Sequence, residues 1–418
     1  VRKLLTLTEY GCITSADVAP SFDEQSVSQA DFEWLSRIGS SGAKQSPPLF
    51  RRESEQRLRV SNYVGVVETP NGTTVEILPK HHEGDVPVER TRHLLHRMIA
   101  AALDLPVKET GVTHLQLFSA PLSEWVARHF LDALDRLIKR GLRFDYLRLE
   151  EEQPYLRGQL DLARQLRQAP GRAHYFQLRH DVFSPDGPEN RLLKSALTLV
   201  ASHTQDAENW RLAHELLVVL HEVPKSARYA DDFKRWQRGR LLAHYEPVRP
   251  WCELILGQQM PLSVHGNWQG VSMLFPMEKL YERYVESAVR HGLRAGASLT
   301  AQAASESLCR YQDAGFFRLR PDMLVQSGAQ RWILDAKWKR LDAADTENRF
   351  GLAQADFYQL FAYGQKYLGG IGELYLVYPR TASFSAALGP FAFSDSLKLW
   401  AVPFDLESQR FELPLPFL

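Results

Sequence analysis

Two short runs towards the carboxyl end carry the residues best suited to chemistry: Arg320-Pro321-Asp322-Met323-Leu324-Val325 and Ile333-Leu334-Asp335-Ala336-Lys337-Trp338. Apolar-rich segments flank Ser327-Gly328-Ala329-Gln330. A four-residue loop there pairs Gln326 with Arg331 and, counting outward, Asp322 with Asp335 in a β-hairpin. Directly opposed residues have Cβ atoms roughly 5 Å apart, and like charges at that spacing repel unless a cation sits between them. Lys337 shares the face of Asp335, because side chains alternate along a strand. Two carboxylates and an ammonium on one face suit a hard divalent cation and a phosphodiester. The competing reading is a solvated strand face with Asp335 paired to Lys337 or Arg320. Trp332, Ile333, Leu334 and Trp338 weigh against it, since they predict a strand buried on one face and partly on the other.

Two neighbouring segments read as helices that could complete such a site. Pro276 to His291 has Tyr281, Tyr284, Val285, Ala288 and Val289 at helical spacing, with Pro276 tolerated at the start. Glu282 falls at the edge of that stripe, where it can reach a metal held by the hairpin. Glu286 points further towards solvent, and Glu278, one turn earlier, competes with Glu282 for the role. As plain surface residues these glutamates would pair with Lys279 or Arg290 instead. Downstream, Leu352 to Leu368 puts Phe357, Phe361 and Leu368 on one side and Asp356, Gln359, Tyr363 and Lys366 on another. Gln359 and Tyr363, four apart, are neighbours on the helix surface.

The elements that must hold these residues are spread over a chain of 418 residues, long enough for sizeable cores in two or three domains. Lys plus Arg and Asp plus Glu both total 50, so no global positive field advertises nucleic-acid binding, and any grip on DNA must be local or shared with a partner. Cys12, Cys252 and Cys309 are too scattered for a disulfide framework or zinc cluster, which fits a reducing cytoplasm. No run of 18 apolar residues and no secretory signal is present. The expectation is a soluble, cytoplasmic protein without membrane contact. Ser36 to Pro48 reads as a flexible loop and Leu58 to Pro79 as a hairpin around Pro70-Asn71-Gly72. From Arg90 the period becomes helical, through Leu94, Leu95, Met98 and Ile99, then Trp125, Val126, Phe130, Leu134, Leu137 and Ile138, with further helices at Arg191 to Val200 and Trp210 to Leu220. His214-Glu215 and His221-Glu222 miss the spacing of a zinc-binding helix, and His93 with His96 lacks a third ligand nearby. No Gly-rich loop ends in Gly-Lys-Ser or Gly-Lys-Thr, so the chain itself should bind no nucleotide in P-loop fashion.

With these residues in place a family likeness emerges. Pro321-Asp322 and Asp335-Ala336-Lys337 resemble the half-motifs of the PD-(D/E)XK nuclease superfamily, and Gln359 with Tyr363 resembles a pair of its RecB-like branch. Leu280-Tyr281-Glu282-Arg283-Tyr284-Val285, Tyr358-Gln359-Leu360-Phe361-Ala362-Tyr363, Leu156-Arg157-Gly158-Gln159-Leu160-Asp161 and Asp186-Gly187-Pro188-Glu189-Asn190-Arg191 extend it. So do Asn62-Tyr63-Val64-Gly65-Val66-Val67 and Val75-Glu76-Ile77-Leu78-Pro79-Lys80. Together they resemble the McrC family, nuclease subunits of McrBC-type systems that restrict 5-methylcytosine-containing DNA. The resemblance implies an α/β (α+β) fold: a β-rich region at 1–85, a mostly helical region at 86–265, and a PD-(D/E)XK domain at 266–418 with a central mixed sheet flanked by helices.

The resemblance further implies a Mg²⁺-dependent endodeoxyribonuclease, with Mn²⁺ as a substitute. Asp322, Asp335, the Ala336 carbonyl and Glu282 would hold the metal, Lys337 would orient or help deprotonate the attacking water, and Gln359 and Tyr363 would position the DNA. It implies as partners double-stranded, methylated DNA and a McrB-type AAA+ GTPase ring, which the amino-terminal region would stimulate, with the hairpin at Asn71 and Gly72 as the candidate contact. Two other readings remain. One is a RecB-like repair nuclease. The other is a non-catalytic activator of an NTPase ring, against which the intact Asp322, Asp335 and Lys337 set argues.

Overall fold

The computed structural model describes residues 3–40, 48–80, 87–107, 120–172, 174–257 and 272–418. Two compact units organise the chain, one formed by 1–122 together with 262–418 and the other by 123–261. This partition differs from the three consecutive segments expected; the boundaries near 85 and 265 lie outside the described residues.

The amino-terminal part of the first unit comprises β1 (Lys3–Thr8), β2 (Cys12–Thr14), β3 (Glu24–Ser26), α1 (Gln29–Ser40), β4 (Phe50–Ser54), β5 (Arg57–Val60), β6 (Tyr63–Glu68), β7 (Thr73–Leu78) and α2 (Val88–Ala102). One sheet runs β3-β2-β5-β4, and β1, β7 and β6 belong to a second. Helix α1 extends through Ser36 to Ser40, where composition pointed to a loop, because Phe32 and Leu35 are buried in a core shared with Phe50 and Leu58. The rest of that expected loop, 41–47, lies outside the described residues. Strands β6 and β7 form the expected antiparallel hairpin, Val66 opposite Glu76.

The second unit holds α3 (Leu122–Arg140), β8 (Asp145–Gln153), β9 (Gln159–Leu160), β10 (Phe176–Ser184), α4 (Pro188–His203), α5 (Ala207–Val219), α6 (Tyr229–Arg235) and α7 (Arg249–Ile255). Its antiparallel sheet, ordered β8-β10-β9, is an addition to the mostly helical region expected. Periodicity missed it because β8 carries Glu150, Glu151 and Glu152 in succession and buries little. Ion pairs contribute to its pairing: Arg179 with Glu150 at 3.0 Å and Asp161 at 2.6 Å, and Arg172 with Glu152 at 3.2 Å.

The chain then re-enters the first unit with β11 (Met273–Pro276), α8 (Met277–Gly292), β12 (Ala297–Ala301), β13 (Ser307–Tyr311), β14 (Ala314–Arg318), β15 (Met323–Ser327), β16 (Gln330–Ala336), α9 (Gln354–Tyr367), β17 (Gly372–Pro379), β18 (Leu388–Ala392), β19 (Leu397–Asp405) and β20 (Arg410–Phe411). Strand β11 pairs with β6, closing the second amino-terminal sheet as β1-β7-β6-β11. At Gly65, with φ +125°, a Cβ would fall 1.9 Å from the Met273 carbonyl oxygen, so only glycine admits β11 here.

The remaining large sheet is mixed and seven-stranded, β12-β15-β16-β17-β19-β18 with β20 beside β19. Helices cover both faces. Leu360, Tyr363 and Tyr367 of α9 share a core with Ile333, Leu374 and Leu376. Strand alternation sends Trp332 and Leu334 to the other face, where α8 sets Tyr281 against Trp338 and Tyr284 against Phe404. No helix of the described residues is long and apolar enough to cross a membrane.

Candidate active site

Asp322 and Asp335 meet at the open end of the β15–β16 hairpin. Met323 pairs with Leu334 and Gln326 with Arg331, so Asp322, one residue before β15, stands opposite Asp335 in the same register. The connection is tighter than the four-residue loop expected: Ser327 and Gln330 are themselves paired, which leaves Gly328-Ala329 as a two-residue turn with Gly328 at φ +58°. Register survives because each strand gains one residue from the loop.

Alternation places Asp335 on the α9 face, where it is 1% exposed. Lys337 Nζ lies 2.5 Å from Asp335 Oδ2 and 3.9 Å from Asp356 Oδ1. It also donates to Gln359 Oε1 at 3.4 Å. Gln359 Nε2 donates to Tyr363 Oη at 2.7 Å, and Tyr363 Oη donates to the Arg320 carbonyl at 2.9 Å. The Gln359 and Tyr363 pair therefore ties Lys337 back to the segment that leads into Asp322. Asp322 Oδ2 accepts the Ala336 N–H at 2.9 Å, and its Oδ1 accepts from Gln302 Nε2 at 3.0 Å.

Gln302 was not visible in the sequence as a site residue. It follows β12, and its side-chain amide donates to both Glu282 and Asp322. Its backbone N–H donates to the Asp322 carbonyl at 2.9 Å. The residue sits at φ +48°, a conformation uncommon outside glycine, which marks local strain kept at the site. Glu282 thus joins the cluster through Gln302 while also pairing with Lys279 at 3.3 Å. Glu278 is exposed, and its charge bears on Tyr10 rather than on Asp322. Asp356 and Glu9 were also missed as site residues. Glu9 Oε1 accepts from Trp338 Nε1 at 2.9 Å and from the Lys80 N–H at 2.8 Å, bracing the strand end beside Lys337. Asn71 and Gly72 lie apart from this cluster at the β6–β7 turn. There Asn71 Nδ2 donates to Asp31 Oδ1 at 3.0 Å and Thr73 Oγ1 to Asp31 Oδ2 at 3.0 Å.

The electrostatics are those of crowded acids. Burial, then the charges of Asp335 and Glu282, push the Asp322 carboxyl up to about 7. Burial likewise raises Asp335 against the pull of Lys337. Burial would lower the Lys337 ammonium, but Asp335, with Asp356 and Asp322 behind it, more than offsets this and holds it above its usual value. Among the described residues no three His, Cys, Asp or Glu side chains already converge as a closed metal cage. Glu282 is spaced from Asp322 by Gln302, and the ammonium of Lys337 occupies the position beside Asp335. What fits a cation is the donor chemistry: hard carboxylate oxygens, an excess of buried negative charge, and an Asp335 Oδ2 that makes no well-aligned hydrogen bond despite the nearby ammonium.

A family model described as McrBC 5-methylcytosine restriction system component matches residues 58–379. The chain belongs to the McrBC family. A comparison with curated protein sequences returns no match. Among solved structures, the chain is similar to one in a half-complex from a tetradecameric assembly of Thermococcus gammatolerans McrB AAA+ hexamers with bound McrC. The TM-score is 0.68 at 18% identity, covering 96% of this chain and 95% of that one. It is also similar to a chain in the cryo-EM structure of the Thermococcus gammatolerans McrBC complex, with TM-score 0.50 and 18% identity over 69% of this chain and 87% of that one. At this identity the McrBC structures speak to the fold alone. Their similarity extends beyond the stretch matched by the family model, since the first covers nearly the whole chain.

Proposed function

We propose that this chain is the DNA-cleaving, McrC-type subunit of a McrBC restriction complex, a Mg²⁺-dependent endodeoxyribonuclease of the PD-(D/E)XK type. The observation that carries the reading is the half-buried corner where Asp322, Asp335, Lys337 and Gln359 meet on one hairpin and one helix, with Asp335 at its buried end. Buried like charges are costly to a fold, and a phosphodiester-cleaving site gives them a use. Asp322 and Asp335 would hold the ion, with the Ala336 carbonyl as a further oxygen and Glu282 supporting it directly or through water. When bound, Mg²⁺ supplies Lewis acidity towards the phosphate and lowers the pKa of water. Mn²⁺ would substitute.

The chain's own groups do the rest. Lys337 Nζ would orient the attacking water and offset charge developing on the phosphate. Gln359 holds Lys337 from the far side and, with Tyr363, lines the path of the scissile strand. The partner proposed is a McrB-type AAA+ GTPase ring, by likeness to the assembly in which McrC is bound to McrB hexamers. The exposed turn at Asn71 is the candidate ring contact. Its Asn71 side chain is committed to Asp31, so the contact would be made by the shape and backbone of the turn.

The test is to purify the chain with and without its ring partner and to assay methylated and unmodified duplex with Mg²⁺ and GTP. Cleavage that needs Mg²⁺ and disappears in Asp335→Ala supports the proposal. Metal-independent or absent cleavage with an active ring overturns it in favour of a non-catalytic activator.

A further inference from the structure

Strands β13 and β14 form a two-stranded ribbon that pairs with no other strand among the described residues. From Leu308 to Arg318 every residue is exposed, including Leu308 at 45%, Tyr311 at 63%, Phe316 at 44% and Phe317 at 72%. A lone ribbon is marginal in water, and one that shows its apolar side chains on leaving a well-packed domain needs a reason. Tyr311 and Phe317 each touch Phe316, with ring centroids 5.8 Å and 6.4 Å apart. Phe317 adopts φ +57°, a genuine outlier for a bulky residue, and its ring is exposed.

Charge is the second observation. Arg310, Arg318 and Arg320 are exposed along or just after this ribbon and, among the described residues, their side chains take part in no hydrogen bond or ion pair, although acidic and basic side chains balance over the whole chain. Unpaired arginines interleaved with exposed aromatics suit phosphates and stacked or unstacked bases.

The third observation is the ribbon's attachment. Tyr367 Oη of α9 donates to the carbonyls of Ala303 at 2.8 Å and Leu319 at 3.0 Å, at the ribbon's two ends. Tyr363 Oη, one turn away, donates to the Arg320 carbonyl at 2.9 Å. The helix that supplies Gln359 to Lys337 therefore also clamps the base of the ribbon, and Arg320 is two residues from Asp322. A contact made by the ribbon is registered to the corner where cleavage is proposed.

We propose that the β13–β14 ribbon is a DNA-docking element that lies along the duplex next to the scissile phosphate, Arg310 and Arg318 on phosphates and Phe317 against the groove or an exposed base. This rests on the nuclease reading above. Charge complementarity and continuity with the acidic corner select DNA over a protein occupant such as a second copy of this chain.

The test uses the full chain in an Asp335→Asn background, so that binding is read without cutting, and a fluorescein-labelled duplex of about 40 base pairs. Arg310→Ala with Arg318→Ala should weaken binding at least tenfold near 0.1 M salt and lower the salt-dependence slope by ~2, about 0.9 for each phosphate no longer neutralised. Phe317→Ala should weaken binding with the slope unchanged. Both sets of side chains are exposed, so melting temperatures should match the parent. A photo-crosslinking residue at position 317 should join to DNA. Unchanged affinity and slope, or crosslinks to another protein chain only, overturn the proposal. If wild type binds and cuts while the arginine variant binds DNA as its Asp335→Asn parent does, only the ribbon assignment falls. If the wild-type chain neither binds nor cuts with its ring present, the nuclease reading falls first.

Discussion

Asp322→Asn should make the metal-free protein more stable while destroying cleavage, a combination that an ordinary structural carboxylate does not give. Asp322, Asp335 and Asp356 gather around one ammonium, Lys337, with Glu282 tied to Asp322 through Gln302, and burial followed by the charges of Asp335 and Glu282 lifts the Asp322 carboxyl from 3.8 to about 7. Because the folded pKa is the higher one, the native state binds more protons than the unfolded chain between pH 4 and 7. The contribution of Asp322 is therefore fully present below its unfolded pKa and is lost as pH rises through about 7. At pH 8 linkage alone sets this loss at ~4 kcal/mol. Partial solvent contact at Asp322 and the rearrangement of Gln302 reduce the gain from substitution to ~1–2 kcal/mol. Asn keeps an oxygen for the Ala336 N–H, so the bond at 2.9 Å survives. Thermal unfolding in EDTA should show the variant about 1–3 °C above wild type at pH 8, with a smaller gap at pH 5. Mg²⁺ should raise the wild-type melting temperature and leave the variant nearly unmoved. A variant less stable than wild type at pH 8, or a gap independent of pH, would refute the reasoning that like charges are held together here for an ion.

Asp335→Ala should eliminate cleavage in a gel assay while ring binding and GTPase stimulation persist; wild-type cutting would sink the assignment. Lys337→Arg keeps the charge beside Asp335 but not a compact donor, so the variant should fold and bind DNA yet cut at least about a hundredfold more slowly in single-turnover assays. Gln302→Ala should slow cleavage about tenfold, with the apparent affinity for Mg²⁺ weakened, because it releases both Glu282 and Asp322; unchanged metal dependence would make Gln302 a bystander. Asn71→Ala removes the tie to Asp31, a loss of ~1 kcal/mol, and should reduce GTPase stimulation several-fold if the β6–β7 turn meets the ring. Equal stimulation by this variant would remove the turn from the contact.

The placement of the candidate site residues was legible in the sequence because it rests on local rules. Strand alternation and hairpin counting placed Asp322 against Asp335, and helical spacing placed Gln359 beside Tyr363. The tighter turn at Gly328-Ala329 changed nothing, since register depends on the sum of paired positions. What was not legible depends on chain reversals and long separations. Gln302 lies in no periodic pattern and reaches the site through a left-handed backbone after β12. Asp356 was read as one polar position on α9 and acquires meaning only when the helix docks beside Lys337. The charged β8–β10 ribbon shows no apolar alternation, because ion pairs contribute where buried side chains usually would. In α1, Ser and Gly composition pointed to a loop, while the burial of Phe32 and Leu35 carried the helix on.

The β6–β11 pairing makes the acidic corner depend on both ends of its compact unit. Strand β11 runs directly into α8, so the edge of an amino-terminal sheet sets the starting point of the helix that carries Glu282. Gly65 is the joint, open to the Met273 backbone in a way that no other residue permits. A carboxy-terminal fragment released by a protease would keep Asp322, Asp335 and Lys337 but lose the strand against which β11 is laid, and with it the anchor of Glu282. A chain interrupted during synthesis would present β6 with a bare edge and no acidic corner at all. On the nuclease reading proposed above, this wiring would act as a safeguard: damaged or unfinished copies would be disarmed by the same break that damages them.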